Sequence, residues 1–428
     1  MRGAIGKNNS DLTEMNRSAV VKILQQQDVC SRADIARQTG LTQAAITKIV
    51  ASMMEMGIVS EIGIITGSDN RRSIGLRLNA DRHQIIGVKF AREMFAVGVF
   101  DISGKIYTQS ETKYSLEENP QNVLSAMKEQ IHNMLNNYKN VVSIGLAVPG
   151  PYLRDEGRIA VVTRMTAWHT INFIEEFKEE FHKPVFIEHD ANAGAFAEWL
   201  FGGHGQSLHT LAYFLVGEGV GCGIIERGRL FLGVQGSACE LGHVSVDVSG
   251  PRCECGNYGC LEMYCSASAL WKKAQKHVPE CLPRGKQQSS DDCNAIFEAA
   301  RAGNQKALDV VRETAEYIGY GCVTLINGYN PDIIIIGDVV SQGGDLLMPT
   351  IYEVVKQRVI PELHTRVQIK ISSLKVDPTL YGAAAIATNK VLQLPSMFSA
   401  GGKWGVGRGW PNSCNIACYK MAFCHMAI

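Results

Sequence analysis

Long hydrophobic runs are missing from this chain. Nothing in its 428 residues approaches the 18 or more apolar residues of a membrane span, and the opening MRGAIGKNNSDL lacks the apolar core of a secretory signal. A cytoplasmic location without membrane attachment is the expectation. Net charge is also missing: 42 Lys and Arg balance 42 Asp and Glu, so no overall field draws the chain to nucleic acid or to an anionic membrane. A nucleic-acid reading must therefore rest on a motif. Thirteen cysteines are few for a disulfide scaffold of this length, and several crowd into one short segment, which favours a metal over disulfides. What is present is apolar material, 46% of the chain, enough for the cores of two or three domains.

Residues 1–82 read as a helical unit followed by a ribbon. Val20, Ile23 and Leu24 recur at helical spacing before a break at Gln27 and Asp28. Ser31 stands at an N-cap before RADIARQ, Gly40 closes that helix, and Thr42 caps a longer helix through Ile46, Ile49 and Met53 to Gly57. Helix, glycine turn and helix, with Ala36, Leu41 and Ile46 as an apolar clamp, is the pattern that presents polar side chains to the major groove. Thr42, Gln43, Thr47 and Lys48 fall on the outward part of the second helix; Gln43 suits adenine, and Lys48 a phosphate or guanine. Two β-prone runs follow, flanking a polar tip with Arg71 and Arg72, as in a wing. Eleven Lys and Arg against eight Asp and Glu over residues 1–82 give an excess of three, weak support for DNA binding without the motif.

From residue 83 strands alternate with helices: IIGVKFA, FAVGVFD and GKIYTQSETKY, a helix over Pro120 to Tyr138, then VVSIGLAV. The series returns at LAYFLV, GCGIIERG and RLFLGV, so GVFDISGKI and GIIERGRLF occupy matching places in two halves. An internally duplicated α/β unit with a cleft between its halves is the expectation. Helices are predicted over about 266–277, 291–328 and 379–393, with DIIIIG a buried parallel strand. Residues 395–428 have no Asp or Glu, five glycines between 401 and 409, and no period, and read as a disordered tail.

HVSVDVSGPRCECGNYGC, running from His243 to Cys260, sets Cys253, Cys255 and Cys260 after the histidine. One His with three thiolates makes a closed structural zinc set, although the single residue between Cys253 and Cys255 is tighter than usual. The alternative is reduced thiols packed as small apolar groups.

The helix-turn-helix, ACELGHVSV and CECGNYGCLE together resemble the ROK family of repressors, open reading frames and sugar kinases, in its branch of xylose, N-acetylglucosamine and Mlc-type repressors, over about residues 12–393. The resemblance implies an α/β actin-like, hexokinase-type domain of two lobes over 83–394, with a zinc loop at 243–260, behind a winged helix-turn-helix. It implies zinc on His243, Cys253, Cys255 and Cys260. A sugar or sugar phosphate would be gripped by Asp190, Glu240, His243 and Glu262, carboxylates being suited to neighbouring hydroxyls. Trp168 and Gly150 match, less closely, an aromatic residue near the sugar and the glycine of a Pro-Gly turn.

Departures from the kinases of that family decide between enzyme and regulator. Lys89, Phe90, Ala91 and Arg92 stand where a kinase has the D-x-G-G of its phosphate loop, Glu218 stands in the second such loop, and Asp338 takes a glycine position. His189 stands where kinases usually carry Asn. The expectation is a sugar-responsive repressor without catalysis, bound to operator DNA as a homodimer or homotetramer; the alternative is a sugar kinase with an added DNA-binding domain.

Overall fold

The computed structural model describes residues 13–393 apart from 14, 15, 18, 22, 25, 26, 67–71, 161–164, 205–207 and 283–291. The described residues up to Arg82 belong to one compact unit, and those of His83–Lys178 with Pro184–Asn389 form another. Among the described residues no helix is long and apolar enough to cross a membrane.

In the first unit a short strand β1 (Cys30–Ser31) leads into α1 (Arg32–Thr39) and α2 (Gln43–Glu55). The capping residues explain these boundaries. Ser31 Oγ accepts from the Asp34 N–H, Gly40 takes the left-handed conformation at φ 71°, and Thr42 Oγ1 accepts from the Ala45 N–H at 3.2 Å. Ile35, Ile46, Val50 and Met53 are buried with the helical residues Val20, Val21 and Leu24, and in the expected clamp Ala36 and Ile46 are buried while Leu41 is half-buried. The wing is β2 (Val59–Thr66) antiparallel to β3 (Arg72–Leu78), with Thr66 opposite Arg72. Cys30 and Ser31 add a third strand beside β3, a pairing too short to leave a pattern in the sequence.

The second unit repeats one topology. Its first lobe carries β4 (Gln84–Phe90), β5 (Met94–Asp101), β6 (Ile106–Lys113), α3 (Pro120–Asn137), β7 (Val141–Val148), the small β8 (Tyr152–Leu153) and β9 (Arg158–Ile159) pair, a helical turn α4 (Phe173–Phe177), and β10 (Val185–His189). The order is β10-β7-β4-β5-β6, with β4, β5 and β6 antiparallel and β7 and β10 parallel to β4. After α5 (Asp190–Phe201) the second lobe runs β11 (Thr210–Val216), β12 (Val220–Glu226), β13 (Arg229–Leu230), α6 (Glu262–Cys265), α7 (Ala267–His277), α8 (Asp292–Arg301), α9 (Gln305–Tyr329), β14 (Ile333–Gly337), α10 (Gly344–Arg358), α11 (Pro361–His364) and β15 (Gln368–Ile371). Its order, β13-β12-β11-β14-β15, has the same strand directions at the same places. Two copies of one meander extended by two parallel strands are the duplicated α/β unit expected from the repeated hairpin signals.

LAYFLV is apolar throughout because β11 is covered on both faces. Leu211, Tyr213 and Leu215 join the core between the lobes, while Ala212, Phe214 and Val216 join the core under α7, α8, α9 and α10. The last helix, α12 (Pro378–Gln393), and α5 fill the space between the sheets. Backbones approach closely along this stack: a Cβ on Gly145 of β7 would collide with the Ala383 carbonyl of α12, one on Gly382 with the Ala193 carbonyl of α5, and one on Gly223 of β12 with the Ala191 carbonyl.

Two sequence expectations need correction. The single helix over 291–328 is two helices, because Gly303 takes φ 92° and Asn304 recaps the chain by accepting from the Ala307 N–H. RLFLGV is strand only at Arg229–Leu230, and beyond it Val234 is fully exposed. Residues 395–428, read as a tail, lie outside the described residues.

Candidate functional site

Three expected sugar ligands and a histidine converge in the second unit. Asp190 opens α5 directly after β10, so its carboxylate sits at the positive end of the helix dipole. His189 caps that helix and is 4% exposed, with Nε2 3.0 Å from Asp190 Oδ1. Burial disfavours the imidazolium, but the carboxylates of Asp190, Glu240 and Glu188 outweigh it and push the His189 pKa up to about 9. Burial raises the Glu240 pKa, with His189 and His243 opposing the rise and Asp190 and Glu262 adding to it. Glu240 Oε1 is buried with no hydrogen-bond partner among the described residues, an acceptor left for a donor such as a hydroxyl. Glu262, the first residue of α6, is buried and its Oε2 accepts from the Val220 N–H at 3.0 Å.

The neighbours explain two residues noted in the sequence. A side chain on Gly150 would run into the His189 ring, so the loop after β7 approaches the site only with glycine there. Trp168 is buried instead of lining an open pocket, with its ring centroid 4.4 Å from that of Phe90 and stacked on Phe173 at 6.2 Å. Sequence reasoning missed Glu188, which ion-pairs with Arg154 and accepts from Asn192 Nδ2 at 3.0 Å and the His189 N–H at 2.9 Å. Those bonds fix the strand end that carries His189 and Asp190, and a lone Glu in FIEHD gave no sign of them.

Nearby stand the positions that the sequence reading set against kinase phosphate loops, each with a partner. Lys89 Nζ pairs with Asp377 Oδ2 at 2.6 Å, and Arg92 Nη1 donates to the Glu218 carbonyl at 3.1 Å. Asp338 sits at φ 72°, ψ −171°, a conformation natural to glycine, with its carboxylate where a Cβ on Gly217 would need to be, 2.8 Å away. Nothing in the sequence pointed to Asp377, 288 positions from Lys89.

His243, Cys253, Cys255 and Cys260 offer ligand atoms that all lie within 4.8 Å of one another. Cys253 Sγ is 3.7 Å from His243 Nδ1, and Cys255 Sγ is 3.7 Å from Cys260 Sγ. The edge of a tetrahedron built on zinc–sulfur bonds of about 2.3 Å is about 3.8 Å, so the donors present fit a metal of that size. The hairpin 245–260 holds them there: Ser245 pairs with Cys260, Arg252 with Tyr258, and the Cys253 N–H donates to Asn257 O at 2.8 Å. Burial raises the Cys253 thiol pKa and pushes that of Cys260 up to about 12, so without a cation these thiols stay protonated. The Nδ1 edge of His243 faces the sulfurs, which leaves Nε2 on the other edge of the ring.

In the first unit Thr42, Gln43, Thr47 and Lys48 are all exposed in the N-terminal part of α2 and its cap. Thr47 Oγ1 donates back to the Gln43 carbonyl at 2.8 Å, which holds that hydroxyl against the helix. Arg72 is exposed at the start of β3; Arg71 lies outside the described residues.

A duplicated actin-like α/β unit, found in one chain with a winged helix-turn-helix, defines a class of DNA-binding proteins that share the sugar-kinase fold. The chain belongs to the ROK family, which residues 85–390 match, while residues 16–60 match winged helix-turn-helix DNA-binding domains. It is 28% identical to the xylose repressor of Caldicellulosiruptor bescii, over 91% of this chain and 99% of that one. A solved ROK family transcriptional regulator, described as a homologue of the Escherichia coli MLC protein, superposes with a TM-score of 0.75 at 27% identity, covering 91% of this chain and 99% of its own. A ROK glucokinase from Streptomyces griseus, solved with glucose and AMPPNP, gives a TM-score of 0.62 at 29% identity over 71% of this chain and 99% of its own.

Proposed function

We propose that this chain is a sugar-responsive transcriptional regulator, a cytoplasmic repressor of carbohydrate-utilisation genes. Residues 1–82 bind operator DNA through Thr42, Gln43, Thr47, Lys48, Arg71 and Arg72, and residues 83–394 bind a free sugar or sugar phosphate through Asp190, Glu240, His243 and Glu262. The observation that carries this reading is the unpartnered buried acceptor on Glu240, close to the carboxylates of Asp190 and Glu262. The Lys89–Asp377 pair and the Arg92 bond to the Glu218 carbonyl, at positions read in the sequence as altered phosphate loops, support it. The names of the similar repressor and regulator support the same reading.

Zinc suits the four convergent ligands, and its role here is structural: bound, it would close the 243–260 loop and orient His243 toward the sugar. A homodimer or homotetramer would set two α2 helices on successive major grooves, and sugar binding would shift their separation by favouring one closure of the lobes. A preference of a few kcal/mol is enough to change the populations by orders of magnitude.

Likeness to a glucokinase favours one competitor, an ATP-dependent sugar kinase with an added DNA-binding domain. Thermal unfolding of the purified protein against D-xylose, D-glucose, other free sugars, sugar phosphates and ATP separates the two, since a ligand of the native state raises the midpoint. The expected result is a rise with one sugar and none with ATP, and release of a DNA duplex selected from a random pool when that sugar is added. Stabilisation by ATP together with sugar phosphorylation would give first place to the kinase.

A further inference from the structure

A phosphate group is held in proteins by cationic side chains and by backbone N–H groups at helix starts and glycine-rich turns. Both kinds of donor stand around Asp190, and the protein itself already engages them. Lys89 Nζ pairs with Asp377 Oδ2 at 2.6 Å, and Arg154 pairs with Glu188. Arg92 donates to the Glu218 carbonyl; burial raises the Glu218 pKa, and the charge of Arg92 opposes that rise. His189 keeps Nδ1 without a hydrogen-bond partner among the described residues, but its charge lies among the carboxylates of Asp190, Glu240 and Glu188.

The helix starts are taken in the same way. Asp190 Oδ1 accepts from the Ala191 N–H at 2.6 Å where α5 begins, and Asp338 Oδ1 accepts from the Val339 N–H at 2.6 Å in the turn after β14. Asp377 Oδ1 accepts from the Thr379 and Leu380 N–H groups, at 2.9 and 3.0 Å, at the head of α12. In the loop between β11 and β12 the Val220 N–H donates to Glu262 Oε2 at 3.0 Å. A carboxylate of the chain thus sits at each of these places, where an oxyanion would otherwise be welcome.

The balance of charge that remains is acidic. Carboxylates of Asp377, Asp338 and Asp190 all act on the Lys89 ammonium, and those of Asp190 and Glu262 act on Glu240, whose Oε1 has no hydrogen-bond partner among the described residues. Such an acceptor suits a hydroxyl, which can donate to it. A phosphate dianion brings acceptors and more charge of the same sign. Zinc on the neighbouring cluster would not reverse that sign, because three thiolates outweigh its charge.

We propose that the effector is an unphosphorylated sugar, and that the carboxylates paired with the cations and helix starts of this pocket turn a phosphate ester away. The inference rests on the sugar-binding reading of the pocket and narrows it to neutral polyols.

The test is calorimetric titration of D-xylose, D-glucose and N-acetyl-D-glucosamine, each beside its phosphate monoester, into the full-length parent and Asp377→Asn, with the thermal midpoint of each protein measured without ligand. The parent should bind one free sugar, and the ester of that sugar about a hundredfold more weakly. Asp377→Asn removes a carboxylate and releases Lys89 from its pair, so the gap between ester and free sugar should narrow by about tenfold. Should that variant fail to fold, Asp338→Asn takes its place, with the same narrowing expected. An ester that equals or exceeds its free sugar in the parent overturns the inference and leaves the sugar reading standing. A gap left unchanged in a folded variant shows that shape, and not charge, excludes phosphate, and also overturns it. A parent that binds neither form of any of the three sugars defeats the sugar reading and this inference with it.

Discussion

His189 Nε2 lies 3.0 Å from Asp190 Oδ1, and this contact holds a charged imidazole among three carboxylates inside the protein. The folded pKa of about 9 lies above the ordinary 6.5. Stabilisation from protonated His189 is therefore complete below pH 6.5 and is lost as the pH rises through about 9, a loss on the order of 3 kcal/mol. Urea unfolding of the parent and of His189→Gln between pH 6 and pH 10 checks this: the parent should lose stability relative to the variant across that window. Parallel curves would mean that His189 is neutral in the folded protein.

Asp338 holds a glycine's backbone conformation, at φ 72°, while its Oδ1 accepts from the Val339 N–H at 2.6 Å. Strain of this kind costs ~1–3 kcal/mol, and one such hydrogen bond returns ~1 kcal/mol. Asp338→Gly should therefore stabilise the fold by about 1 kcal/mol, whereas Asp338→Ala keeps the strain, loses the bond and should destabilise it. Chemical denaturation of both variants decides; equal effects would remove the backbone explanation.

Cys255 is half-buried at the rim of the four-ligand cluster, so Cys255→Ser should remove the metal without opening a cavity. Metal analysis should find one zinc per chain in the parent and less than a tenth of that in the variant, with a lower thermal midpoint and a weaker response of DNA binding to sugar. Zinc content equal to that of the parent would reject the ligand assignment.

Lys48 and Gln43 both stand exposed on α2 but have different expected partners. Lys48→Ala should weaken binding to all sequences alike and lower the slope of log affinity against log salt by about 1 if it meets a phosphate. Gln43→Ala should relax selection at one base pair, by ~1–3 kcal/mol if Gln43 reads adenine. Affinity measured over a salt series, with single-base variants of the selected duplex, distinguishes the two roles, and sugar binding should be unchanged in both.

The parts of this molecule that the sequence revealed are those governed by neighbouring residues. Ser31, Gly40 and Thr42 set helix ends within a few positions, and the repeated hairpin signals in GVFDISGKI and GIIERGRLF mark β5–β6 and β12–β13 in both lobes. The cysteine cluster was readable because its ligands fall within 18 residues, His243 to Cys260. Gly303 was not, because a glycine inside an apolar period also fits an unbroken helix, and only the recap at Asn304 decides. Lys89 was singled out in the sequence, but its partner Asp377 was not, because their contact depends on the assembled fold. Glu188 was missed for the same reason: its partner Arg154 lies in another loop.

Most of the core can be rewritten by exchange, a larger side chain here answered by a smaller one there, and a chain only 27% identical to a regulator it superposes on has plainly used that freedom. At Gly145, Gly382 and Gly223 no such exchange exists, because the residue is already the smallest available and what it faces is a main-chain carbonyl. Divergence can therefore redraw the pocket and the DNA-reading face around these three positions, but it has to leave the line where sheet, helix, helix and sheet meet as bare backbone.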